Sequence, residues 1–324
     1  MKKLVLTVVA LVGAVGLADE IKLGIVGIDT SHAIEFTKHI NVEKDREIFK
    51  DFRIVAAYKY GSRSIPSSTN RYPKYEAELK GMGVEMVPSV KDVLAKCDAV
   101  LLETNDGREH LRQAREIFAS GKPVFIDKPI AHNYADALQI LREAKARKAK
   151  FFSCSGLRWT EKVQAARRGD FGRVIGVNSF TPTTRERTHS AFMWYGVHGF
   201  EPLCTVMGLG AEAVSCMTTK TNDVVTVRWK DGRIGVVRGM SDGPGRGYGS
   251  MAFTEKGPVD LGGYEGYAPM LEEILKFFKT GVVPYPPEET EEIFCIMAAA
   301  ELSGKQGGRI VKLDEIREKA AAGF

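Results

Sequence analysis

The sequence predicts an α/β fold: an N-terminal domain built on a doubly wound parallel sheet, then a C-terminal α+β domain with a mostly antiparallel sheet. Three observations predict it. Short apolar runs alternate with helical patterns up to residue 150, which is how βαβ units of a doubly wound parallel sheet read. Beyond Lys150 the chain turns to strands joined by tight turns, with Asp231-Gly232 a hairpin signal. Between these, Val124-Phe125-Ile126-Asp127-Lys128-Pro129 is a buried-strand run that ends in an acid, a lysine and a proline.

Each element follows in order. Residues 1–18 read as an export leader. Lys2 and Lys3 open it, Leu4 to Leu17 is too short an apolar stretch to span a bilayer comfortably, and Gly16 and Ala18 have cleavage-site spacing. A periplasmic or secreted protein with no membrane span in the mature chain is expected; the alternative is a buried N-terminal element in a cytoplasmic one. The domains are then 19–150 and 151–324, with the C-terminal helix packing back on the first. Ile21 to Val26 is a strand closed by Gly27, and a helix runs from about Ala33 to Ile40. Arg53–Tyr58, Val84–Val87 and Ala99–Leu102 are further strands, and Ser89 with Asp92 starts a helix between the last two. A helix after His110 has Leu111, Ala114, Ile117 and Phe118 as its apolar face, and Asn133 with Asp136 caps the next.

In the second domain, Phe151–Ser155, Arg173–Thr181, Ala213–Thr219, Asp223–Trp229 and Arg233–Arg238 read as strands, and Ser241–Ser250 as a glycine-rich loop. A late helix carries Leu271, Ile274, Leu275 and Phe278. Pro286-Pro287 precede an acidic helix start, and Arg309–Leu313 alternates like an edge strand.

The chain has 324 residues, 44% of them hydrophobic and 27% charged, enough for a sizeable core. Its net charge is +5, with Lys2 and Lys3 contributing two of those charges. No basic run is interleaved with aromatics, which argues against a nucleic-acid partner. Five widely spaced cysteines build neither a disulfide framework nor a metal-ligand pattern.

Lys128 falls at the carboxyl end of a central strand, where open α/β sheets bind ligands. Held partly out of water, it can trade a proton with a substrate hydroxyl; a plain surface lysine is the alternative. The first βα loop matches G-x-G-x-x-G poorly. Gly27 opens the turn, but Asp29 and His32 replace the second and third glycines. A carboxylate at Asp29 repels a diphosphate unless it turns away to cap the helix, with Thr30 and Ser31 offering hydroxyls. After the second strand, Lys59, Ser62 and Arg63 suit a 2′-phosphate, which leans the choice of cofactor from NAD toward NADP; a solvated polar loop is the alternative. In Met193–Leu203, His198 and Glu201 share a helix face beside Trp194 and Tyr195. His198 is either an acid/base group in a sugar-sized cleft or a packed histidine. A metal held by His198, Glu201 and His189 lacks a firm third ligand, so no metal is expected.

Taken together, the chain resembles the Gfo/Idh/MocA family of oxidoreductases from Ile21 to about Leu313. The matching pieces are the Ile21–Gly27 strand and turn, His110, the run Gly121-Lys122-Pro123-Val124-Phe125-Ile126-Asp127-Lys128-Pro129-Ile130-Ala131, Gly169-Asp170-Phe171-Gly172-Arg173-Val174 and Ala299-Ala300-Glu301-Leu302-Ser303. The resemblance implies a Rossmann dinucleotide-binding domain, a C-terminal domain with an open sheet, a nicotinamide cofactor between the two, a sugar, cyclitol or related polyol oxidised or reduced at a secondary alcohol, and dimers or tetramers through the open sheet. Lys128 falls on the family's catalytic lysine and His198 on the histidine of its D-x-x-x-H pair, whose aspartate is Trp194 here. Candidate cofactor contacts are Gly27, Asp29, Thr30, Ser31, His32, Lys59, Ser62, Arg63, Asn105, Asp106, His110, Asp127 and Lys128. Candidate substrate contacts are Arg158, Trp194, Tyr195 and Glu201. Two alternatives stay open: an NAD-assisted glycosidase or lyase with no net redox, and a carbohydrate-binding protein that has lost the cofactor.

Overall fold

The computed structural model describes residues 20–242 and 247–322, so the expected leader at 1–18 lies outside the described residues. The first sheet is parallel. Its strands are β1 (Ile21–Val26), β2 (Phe52–Tyr58), β3 (Glu85–Val87), β4 (Ala99–Leu102), β5 (Val124–Ile126) and β6 (Phe151–Phe152), in the order β3-β2-β1-β4-β5-β6. Leu23, Ile25, Val26, every residue of β4 and every residue of β5 are buried, as strands covered by helices on both faces must be. The helix Gly107–Ala119 buries Ala114, Ile117 and Phe118, as its period predicts, at roughly 1.5–3 kcal/mol for each large apolar side chain. Ser89 and Asn133 both cap, accepting the backbone N–H groups of Asp92 and Asp136. The strand order reverses between β1 and β4, and the crevice at that switch point is where such sheets bind ligands.

The second sheet holds β7 (Val174–Pro182), β8 (Ala211–Thr218), β9 (Asn222–Trp229), β10 (Ile234–Met240), β11 (Gly249–Thr254), β12 (Gly257–Gly262) and β13 (Val311–Lys312), in the order β12-β11-β7-β10-β9-β8-β13. It is mostly antiparallel, with β7 and β10 paired in parallel. The sequence missed the hairpin β11–β12, because its turn and its glycines read as loop. Arg309–Leu313 shortens to the two-residue edge strand β13, since Leu313 already starts a helix. The helix Val197–Met207 lies on β7 and β10 with ten of its eleven residues buried, so the one half-exposed position, His198, stands out against the sheet's end.

Candidate active site

Lys128 follows β5 directly. The strand holds it in place through the Asp127 N–H, which donates to the Leu102 carbonyl at 2.8 Å. Its ammonium lies 5.3 Å from the centroid of the Tyr195 ring. Tyr195 belongs to a wide turn, Phe192–Gly196, that leads into the helix bearing His198; the two rings are 5.1 Å apart. His198 Nδ1 is 2.7 Å from Ser155 Oγ, and the Tyr248 ring closes on His198 at 5.3 Å. Lys128, Tyr195, His198, Ser155 and Tyr248 together line a cavity of about 200 Å³ between the domains.

The electrostatics of this cluster suit proton transfer. Burial, reinforced by the charge of Lys128, holds His198 well below its ordinary value, so the ring is neutral at neutral pH and free to accept a proton. Burial opposes ionisation of Tyr195, yet the Lys128 charge draws it below the usual phenol value. Tyr248, next to it, is pushed up by burial. The arrangement can hold a substrate oxygen against a cation and move its proton to an imidazole.

The dinucleotide crevice is built differently from its expected form. Gly27 has φ +82°, and a Cβ there would lie 2.4 Å from Thr104 Oγ1, so the close approach of the β1 and β4 loops needs glycine. Asp29 does not cap the helix Ser31–Thr37, whose N-cap is Thr30 with no side-chain bond. Its carboxylate, 0% exposed, instead accepts the Ser62 N–H at 3.0 Å and the Asn105 N–H at 3.2 Å. Gly61 lets this happen, since a Cβ there would sit 2.1 Å from Asp29 Oδ1. Burial pushes Asp29 up, against those N–H groups. Ser62 Oγ donates to Asp106 at 2.8 Å, and Burial of Asp106 is outweighed by its pairing with Arg108, which holds it down at about 2.

His32, where the third glycine would stand, points between two acids: its Nδ1 is 2.9 Å from Asp127 Oδ1 and 3.7 Å from Glu103 Oε2. Against burial, Asp127 raises His32 to about 10. Ser31 Oγ and the Tyr267 hydroxyl are 2.9 Å apart, closing the helix start from the second domain. A dinucleotide does not fit this closed arrangement. The Lys128 cavity and a second pocket of about 290 Å³ at Tyr60, Arg63 and Arg108 are separated by the Asp29–Ser62–Asn105 bonds, and each is at or below the roughly 300–1,000 Å³ of small-ligand sites. A larger groove of about 890 Å³, beside Leu138, Leu141 and Pro284, holds none of the expected site residues.

Other expected residues are committed elsewhere. Lys59 pairs with Glu76 at 2.9 Å and Arg63 stacks on Tyr60 at 3.9 Å, so neither stands ready for a 2′-phosphate. Asn105 reaches Ser68 Oγ at 3.2 Å, and Thr30 Oγ1 is buried without a partner. His110 is buried between the carbonyls of Thr104 and Ile130. Arg158 and Glu201 do come together, but with each other and with Glu289, deep in the second domain, where Arg158 is 1% exposed. They are therefore a buried ion-pair network rather than substrate contacts. Trp194 packs on His189 at 4.8 Å, and neither lines the Lys128 cavity; His189 instead accepts the Gly107 N–H at 3.1 Å.

Residues 21–154 match the model described as "Oxidoreductase family, NAD-binding Rossmann fold", Gfo/Idh/MocA. Over that domain the chain is similar to the Gfo/Idh/MocA oxidoreductases. The likeness in fold extends through the second domain, as solved structures show. A putative myo-inositol dehydrogenase from Sinorhizobium meliloti 1021 superposes with TM-score 0.72 at 16% identity, covering 90% of this chain and 99% of that one. A probable dehydrogenase from Thermotoga maritima gives TM-score 0.71 at 20% identity over 91% and 99%. The myo-inositol dehydrogenase from Lactobacillus casei, solved with NAD(H) and myo-inositol, gives 0.71 at 14% identity over 90% and 96%. No curated protein matches the sequence.

Sequence reasoning missed Ser155, Tyr248, Tyr267 and Glu103. Ser155 and Glu103 follow parallel strands, so the strand-end argument that found Lys128 reaches them too. The two tyrosines come from distant segments of the second domain, and nothing local in the sequence marks them.

Proposed function

We propose that the cavity beneath Lys128 takes a sugar, cyclitol or related polyol and exchanges a proton with one of its secondary hydroxyls. This is the acid–base half of the alcohol oxidation or reduction that is the work of an NAD-dependent oxidoreductase. The observation that carries the reading is the placement of the Lys128 ammonium, the Tyr195 ring and the neutral His198 around one small cavity. Lys128 binds the reacting oxygen and favours its alkoxide. His198 receives the proton at Nε2, with Nδ1 fixed by Ser155. Tyr248 and Tyr264 give the polyol two aromatic walls. A bound nicotinamide would supply hydride exchange at the alcohol carbon, and the Ser31–Tyr267 contact that closes the crevice would have to open to admit it. The Lactobacillus casei dehydrogenases of like fold, solved with NAD(H) and myo-inositol or scyllo-inositol, support the ligand class.

A second reading has its own support. Asp29, His32 and Tyr267 fill the crevice from three sides, as in a protein that binds or cleaves carbohydrate without net redox. The two readings part on one experiment: titration with NAD, NADP and their reduced forms, alone and with a polyol panel. Polyol turnover with a change in reduced nucleotide supports the first; polyol binding or cleavage indifferent to all four nucleotides supports the second. We further infer export by the 1–18 leader, and pairing of two copies through the open face of the second sheet, where Ile175, Phe180, Met217 and Ile234 are exposed.

A further inference from the structure

We propose that His32, Glu103 and Asp127 form a divalent-cation site of the zinc or manganese kind at the switch point of the first sheet. The three side chains come from the first turn of the helix after β1, the end of β4 and the end of β5, so the elements that make the crevice also aim them at one point. His32 Nδ1 lies 2.9 Å from Asp127 Oδ1 and 3.7 Å from Glu103 Oε2, and one ligating atom from each residue lies within 4.8 Å of the others. Donors bound to one ion at about 2.0–2.2 Å stand roughly 3–4 Å from one another, so small side-chain shifts bring all three into a shell.

The independent sign of a missing partner is Glu103. It is 0% exposed, and neither of its oxygens has a hydrogen-bond donor; Asp127 Oδ2 is buried and orphaned as well. Buried carboxylates are ordinarily paired, hydrogen-bonded or on a metal. The one neighbouring cation that faces both acids is His32, and a single imidazolium leaves two carboxylates one charge short. Lys128 is turned to Tyr195 instead, and the Asp127 Oδ1 already takes the Lys128 N–H at 2.7 Å.

A divalent ion repairs both deficits. It would take the Nδ1 lone pair of His32, releasing that proton to solvent, and one oxygen from each acid, leaving the cluster neutral. The ring is already held for this, stacked on Phe36 at 5.1 Å and met edge-on by Tyr267 at 4.9 Å. One imidazole with two carboxylates is a ligand set that suits Zn²⁺ or Mn²⁺. His32 also lines the Lys128 cavity, so water from that side completes the shell. The assignment goes beyond the polyol reading and does not rest on it.

The test titrates chelator-stripped full-length protein with Zn²⁺ and with Mn²⁺ by calorimetry and thermal melting, with no polyol or nucleotide present. Wild type, Glu103→Gln and His39→Gln are compared, the last because His39, Glu43 and Asp45 form the other cluster of this kind among the described residues. One equivalent bound, with a rise in melting temperature that Glu103→Gln abolishes and His39→Gln keeps, supports the site. Without metal, Glu103→Gln should melt at or above wild type, because it removes an unpaired buried acid. No binding to wild type, or binding unchanged by Glu103→Gln, overturns the proposal. X-ray absorption of the zinc-loaded wild type needs no variant: one imidazole among oxygens supports it, and sulfur or several imidazoles overturns it.

Discussion

The Ser31 hydroxyl and the Tyr267 hydroxyl stand 2.9 Å apart, joining the helix start that should receive a diphosphate to a residue just before the helix Ala268–Thr280. The Tyr267 ring also meets His32 edge-on, so one side chain of the second domain covers the first two residues of that helix. Tyr267→Ala is expected to uncover them. The expected outcome is measurable NAD binding in the variant, with at least a tenfold gain in affinity over wild type by calorimetry. Equal, weak binding to both would show that Asp29 and the Ser62 loop alone keep the dinucleotide out.

Asp29 ties three loops together with one buried carboxylate. Asp29→Asn keeps its size but sets an N–H₂ against one of the two backbone N–H donors. A loss of about 1–3 kcal/mol is expected in denaturant unfolding, the usual cost of an unmade buried hydrogen bond. A variant as stable as wild type would mean that the Ser62 loop is held by Asp106 and by Tyr72, whose hydroxyl accepts the Gly61 N–H at 3.1 Å, alone.

Arg158 decides between packing and ligand binding. It is 1% exposed between Glu201 and Glu289, with Tyr285 beneath it at 3.8 Å. Removing one partner of such a pair leaves buried charge behind. Arg158→Met should therefore cost about 3–5 kcal/mol of stability by urea unfolding. A variant with wild-type stability and weakened polyol binding would restore Arg158 as a substrate contact.

His198 sets the pH dependence. Its folded value lies well below 6.5, so between the two values the unfolded chain binds more protons than the folded one. The stability it confers is present above pH 6.5 and falls as pH drops below it. Turnover that uses the neutral ring should likewise be flat through neutrality, with an acid limb well below pH 6.5. His198→Asn should remove that limb and lower the rate by roughly 10²–10⁴. A limb at or above pH 6.5 would assign the base to another group.

The parallel domain was legible because its strands are buried on both faces and read as unbroken apolar runs, β4 and β5 most plainly. Lys128 and His198 were legible for a related reason: one ends a strand, the other opens a helix at i,i+3 from an acid. That same spacing misled for Glu201, whose partner Arg158 sits forty-three positions away in sequence. Asp29 was legible as the departure from the glycine pattern, but its bonds to Ser62 and Asn105 are long-range and invisible to local pattern. Glu103 went unnoticed because an acid after an apolar strand reads as a loop residue, and only the packed sheet shows it buried beside Asp127 and His32.

The most direct measurement is ligand binding by wild type and Lys128→Met against a panel of inositols and sugars, read by calorimetry or saturation-transfer NMR, with circular dichroism to confirm that the variant folds. Binding of a polyol by wild type, lost in a folded Lys128→Met, is the predicted result. A polyol bound equally well by both would contradict the account, because the oxygen that Lys128 is placed to hold would then lie elsewhere.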